Sequence, residues 1–147
     1  MAGFSSIAFV LQEFESWALL AGVVPVVDGT SLVELAAQYE ARAGFVPSGG
    51  YAPLTSSPGT LLAYYLGETS DDMLFGEGKT ALLGCSCGEA GCWPFCCRIQ
   101  VSRNSVTWSG FGQPFRPERD YEGFGPFVFD RGEYEAALAA LTRAARA

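Results

Sequence analysis

Two runs, Phe95–Val101 and 106–111, alternate apolar and polar residues and are separated only by the Ser, Arg and Asn residues of 102–105. That period of two on both sides of a short polar turn is the pattern of an antiparallel hairpin with one face on a core. Asn104 suits a positive φ in the turn. A hairpin alone cannot bury its apolar face, so the rest of the chain must supply more strands or a helix to cover it.

Both are legible. Residues 6–11 are almost wholly apolar and read as a strand covered on two faces. Residues 18–27 are rich in Val and Leu but contain Pro25, which points to an edge or bent strand. A helix is expected over 32–43, because Ser31 and Glu34 form a capping box and Gly44 supplies a stop. Its apolar face would be Leu32, Leu35, Ala36, Tyr39 and Ala43.

Residues 45–59, with three prolines and three glycines, read as a surface loop. Residues 61–66 read as a strand or short helix, 68–78 as an acidic solvated loop, and 80–87 as a strand. The Gly-, Pro- and aromatic-rich stretch 110–127 reads as a long ordered loop. A final helix begins after Asp130, with Glu133 completing the cap, a staple between Phe129 and Tyr134, and an apolar face of Tyr134, Ala137, Leu138, Leu141 and Ala145.

These elements give an α+β fold: a mostly antiparallel sheet of about five strands with two main helices, the C-terminal one packed on a sheet face. At 147 residues with 49% hydrophobic and 17% charged residues, the chain is expected to be a single domain over 1–147 that needs no metal or disulfide to fold.

Charge is divided unevenly. Residues 1–78 carry nine acids and one base, and 79–147 carry seven acids and eight bases, leaving a net charge of −7. Such a field disfavours nucleic acid and anionic membrane and favours a basic protein partner. The first basic residue is Arg42, so no basic leader precedes an apolar stretch, and 18–27 is about half a membrane span. A cytoplasmic, reducing location is therefore expected, with no membrane partner.

All five cysteines fall in Cys85-x-Cys87-x4-Cys92-x3-Cys96-Cys97. Three readings compete. Buried reduced thiols near a strand turn are the commonest use of free cysteine, and alternation puts Cys97 on one face with Phe95, Ile99 and Val101. A structural zinc would take Cys85, Cys87 and Cys92 with Cys96 or Cys97 as the fourth ligand, the glycines at 84, 88 and 91 allowing the tight path. A thiol-redox pair, Cys92 with Cys96 or Cys85 with Cys87, is the third, although the sequence has no Cys-x-x-Cys and no histidine to depress a thiol pKa.

The absence of histidine also excludes Ser-His-Asp and Cys-His catalysis, and no phosphate-binding glycine string occurs. Carboxylate pairs such as Asp71 and Asp72, or Glu13 and Glu15, read as solvated charges rather than an acid and base. The side chains suited to a partner interface are Trp93, Trp108, Phe115, Arg116, Arg119, Tyr121 and Phe124, of the types enriched at hot spots.

Cys-x-Cys-Gly-x-x-Gly-Cys-x-Pro over 85–94, Val106-x-Trp108, and Pro-Phe-x-Phe-Asp-x3-Tyr-x3-Leu over 126–138 resemble an uncharacterised family of small bacterial proteins. In outline such proteins are similar to immunity proteins of polymorphic toxin systems. The resemblance implies a non-enzymatic, acidic, toxin-binding role. The expectation is a non-catalytic binding domain of immunity or inhibitor type, the alternative a zinc-bearing or thiol-redox protein using the cysteine cluster.

Overall fold

The computed structural model describes residues 4–14, 17–55, 61–68, 78–85 and 94–146. Strands β1 (Ile7–Phe14), β2 (Trp17–Val27) and β3 (Thr30–Ser31) form one antiparallel sheet, joined on the far side of β2 by β5 (Leu54–Thr55). The second sheet is antiparallel and five-stranded, in the order β4 (Tyr51–Ala52), β6 (Thr80–Cys85), β7 (Phe95–Val101), β8 (Ser105–Gly112) and β9 (Phe127–Asp130). The described helices are α1 (Leu32–Ala43), α2 (Leu61–Tyr65) and α3 (Arg131–Arg146). The α+β expectation holds, with α3 packed on β1, β8 and β9.

The two sheets meet at both ends. Ser5 N–H donates to the carbonyl of Val128 in β9, and Pro53 alone separates β4 from β5. Both therefore contribute to one core, which runs from Ile7, Val23 and Leu32 through Leu83, Phe95 and Trp108 to Phe129, Tyr134 and Leu138. Two of the polar side chains taken inside are paired in series. Trp108 Nε1 donates to Tyr134 Oη at 3.0 Å, and Tyr134 Oη donates to the Tyr65 carbonyl at 2.5 Å. Burial holds the Tyr134 phenol well above its ordinary pKa, so it remains a donor.

Local chemistry explains the turns. Asp28 and Gly29 both have positive φ, 51° and 82°, and link Val27 to its ladder partner Thr30 as the two-residue mirror-image turn that suits a twisted hairpin. Ser31 Oγ accepts from Glu34 N–H and Asp130 Oδ2 from Glu133 N–H, so both helices begin where their caps place them. Gly110, at φ 62°, sits in a bulge of β8, where the pairing with β7 shifts register.

Three expectations are corrected. Residues 18–27 are not an edge: β2 is flanked by β1 on one side and by β3 and β5 on the other. Pro25 is tolerated because β5 pairs at Gly22 and Val23 and β3 at Val26 and Val27, leaving the missing N–H between the two short neighbours. The loop at 45–59 contains β4 and β5, since Tyr51, Ala52 and Leu54 are buried. Asn104 has no positive φ; among the described non-glycine residues only Asp28 does. The 102–105 turn is closed instead by Ser102 N–H to the Ser105 carbonyl, and the Asn104 carbonyl accepts from Arg131 N–H at the start of α3. Most of the acidic stretch 68–78 and the last two residues of the strand expected at 80–87 lie outside the described residues. No helix among the described residues is long and apolar enough to cross a membrane.

Candidate functional site

Among the described residues the one buried carboxylate is Glu40, with 0% exposure on the core face of α1, one turn beyond Ala36 and two beyond Leu32. An enclosed carboxylate is tolerated only where its lone pairs and charge are met. They are met from three directions. Gly49 N–H donates to Oε1 at 2.7 Å, and the phenols of Tyr51 and Tyr121 each donate to Oε2 at 2.5 Å. Arg119 Nη1 stands 3.5 Å from Oε2, its side chain only 5% exposed. Tyr51 Oη in turn accepts from Gln113 Nε2 at 3.1 Å.

The sequence builds this cluster from three segments. Gly44 at φ 80° ends α1, with its N–H on the Ala41 carbonyl and Phe45 N–H on the Glu40 carbonyl, which turns the chain back over the last turn. Gly49 then passes close to the helix; a Cβ there would lie 3.3 Å from that of Ala37. Beyond β8, residues 113–124 fold through consecutive turns in which Arg116 N–H bonds Gln113 O, Arg119 N–H bonds Arg116 O and Phe124 N–H bonds Tyr121 O. Arg119 crosses to the other loop, donating to the Pro47 carbonyl at 2.8 Å and lying over the Phe45 ring at 5.1 Å. Tyr39 Oη donates to the Asp120 carbonyl, and the rings of Phe95, Tyr39 and Phe45 surround Tyr121.

Electrostatically the cluster is closed. Burial, then the hydrogen bond to Glu40, pushes Tyr121 up to about 12 and raises Tyr51 further in the same direction. Both phenols stay protonated donors, and Arg119 meets the carboxylate charge. The arrangement ties the 45–50 and 113–124 loops together through one enclosed carboxylate.

The expected interface residues divide accordingly. Trp108, Tyr121 and Phe124 are buried in the core, and Arg119 is taken up by Glu40 and Pro47, so these four serve as scaffold rather than contact surface. Phe115 is 47% exposed, and half-buried Arg116 turns its Nη1 back to the Phe115 carbonyl. Trp93 lies outside the described residues.

Of the expected metal ligands, Cys87 and Cys92 also lie outside the described residues. Cys96 pairs with Ala81 in the ladder, and Cys85 is four residues farther along β6. That is about 13 Å of strand, and because the register shifts between Ala81 and Leu83, Cys85 shares a face with Leu83 and its partner Phe95 while Cys96 takes the other. Two sulfurs bound to one zinc lie within about 4.6 Å of each other. Cys85 and Cys96 therefore do not share an ion, and Cys97, opposite Thr80, is more distant still. Among the described residues no three His, Cys, Asp or Glu side chains gather to hold a metal. Cys97 sits in the core as expected, its thiol pushed well up by burial first and by neighbouring Cys96 second, against a smaller opposing pull from Lys79.

Sequence reasoning passed over Glu40. The signal was present, since Leu32, Ala36 and Glu40 recur every four residues on the face that caps and apolar spacing assign to the core. A shallow cleft of about 540 Å³ also opens between Phe4, Arg103, Asn104 and the start of α3, and none of the expected site residues lines it. No family model, curated protein or solved structure matches this chain.

Proposed function

We propose that this protein is a non-catalytic binding domain of immunity or inhibitor type whose partner is a basic protein. The observation that carries the reading is the Glu40 clamp. It fixes residues 45–50 and 113–124 against each other through Gly49, Tyr51, Arg119 and Tyr121. A rigid pair of loops loses little freedom on association, which favours tight binding from a modest area. The net charge of −7 supports a cationic partner and a complex that weakens with salt.

The reading is tested by immobilising the protein and exposing it to extract from its native host at low and moderate ionic strength. A basic protein retained at low salt and released as salt rises is the expected result. Recovery of no basic protein at either ionic strength refutes the reading.

A further inference from the structure

The clamp raises the question of what its outer side presents. Because Arg119 reaches the Pro47 carbonyl and Tyr39 the Asp120 carbonyl, the segment around Val46 and the segment 117–122 lie side by side. Val46 is 88% exposed, more than any other large apolar side chain among those described. Next to it Pro47 and Ser48 are exposed on one segment, and Pro117, Glu118, Asp120 and Glu122 on the other. The cations nearby are Arg119, taken up by Glu40 and the Pro47 carbonyl, Arg116, which reaches its own loop, and Arg42, at the end of α1.

A β-branched side chain followed by Pro47, on a loop whose Gly49 N–H and Pro47 carbonyl are held by Glu40 and Arg119, is an anchor with little freedom left to lose. Three acids on the adjoining turn make its surroundings attractive to cations and hostile to another acidic surface. Resting on the binding-domain reading above, we propose that this face is where the partner docks. The occupant is a lysine- and arginine-bearing protein surface with an apolar socket that receives Val46 and cations that meet Glu118, Asp120 and Glu122.

The probe is a short synthetic peptide rich in lysine, arginine and leucine, titrated into isotope-labelled protein at low ionic strength while amide NMR signals are followed. Shifts are expected to centre on Val46, Gly50, Glu118, Asp120 and Glu122. The triple variant Glu118→Lys, Asp120→Lys, Glu122→Lys should weaken binding at least about tenfold, as should Val46→Asp, whereas Val10→Asp, at another exposed apolar position, should not. All these positions are on the surface, and circular dichroism verifies that each variant keeps its fold. Shifts centred on other acids such as Asp28, Glu34 or Glu133 overturn this face while leaving the basic-partner reading standing. So does full affinity in the triple variant. Absence of saturable binding at low ionic strength overturns this face, and the extract experiment above then decides the broader reading.

Discussion

Replacing Glu40 with alanine removes the common acceptor of the clamp. The Arg119 side chain, 5% exposed, would then carry a buried charge facing two phenols and no carboxylate. Breaking a buried ion pair from one side costs about 3–5 kcal/mol. Gly49 N–H and the Tyr51 and Tyr121 hydroxyls lose their acceptor as well, at about 1–3 kcal/mol for each group that finds no replacement. These losses do not add, because the vacated space admits water and lets Arg119 swing outward. We expect a net loss of about 4 kcal/mol from a total of roughly 5–15, or a fall in Tm of roughly 10–15 °C for a chain of this size. Urea and thermal denaturation followed by circular dichroism measure it. A second variant separates the clamp from simple cavity formation: Glu40→Leu combined with Arg119→Leu leaves no uncompensated charge and should be more stable than Glu40→Ala alone. A loss below about 1 kcal/mol for Glu40→Ala, or strict additivity of changes at 40 and 119, would refute the reasoning.

Two further outcomes follow from the buried groups. Tyr121, raised to about 12, and Tyr51 and Tyr134, raised by burial, stay protonated in the folded protein while unfolded tyrosines ionise near 10. Above that pH the unfolded state holds fewer protons than the native one, so stability is complete below about 10 and falls as pH rises, by up to about 1.4 kcal/mol per pH unit for each such tyrosine. Denaturation midpoints between pH 8 and 11, with phenolate absorbance followed in parallel, check this, and a flat profile contradicts it. Cys96 and Cys97, both fully buried, should react with a thiol reagent only on unfolding, and a chelator should not change that, because core packing encloses both side chains. Reaction of either on chelation of still-folded protein, together with released zinc, would reverse that assignment.

Where a local rule decides the conformation, the sequence was legible. The boundaries of α1 follow from Ser31, Glu34 and Gly44, the start of α3 from Asp130 and Glu133, and the β7–β8 hairpin from its alternation. What escaped depended on pairing over long separations. Pro25 reads as an edge residue until the chain from 54–55 and from 30–31 returns to either side of it. Tyr51, Ala52 and Leu54 read as loop among prolines and glycines until β6 and β2 supply their ladders. The aromatic stretch was recognised as ordered, but exposure cannot be assigned without knowing that Phe95 and Glu40 lie beneath it. Tyr121 and Phe124 therefore read as surface anchors when they are core.

The clamp holds its three donors at the cost of desolvating two charges, Glu40 and Arg119. Apolar side chains of similar volume in place of Glu40 and Arg119 would remove two desolvated charges and are commonly neutral or stabilising. What they could not do is hold direction. The carboxylate receives donors from the 45–50 loop, from β4 and from the 113–124 loop, and each bond has a narrow angular range, so the three segments can meet in essentially one arrangement. Leucine and methionine at the same positions would fill the volume while allowing the loops to slide by fractions of an ångström. Such a sacrifice of stability for a fixed geometry has its largest return where the outer surface of those loops must match another molecule. That makes a variant with Leu at 40 and 119 informative in a second way: it should fold, keep Val46, Glu118, Asp120 and Glu122 exposed, and still bind the basic peptide more weakly than the native chain. Equal affinity in that variant would show that the outer charges alone suffice and that the enclosed carboxylate has no part in recognition.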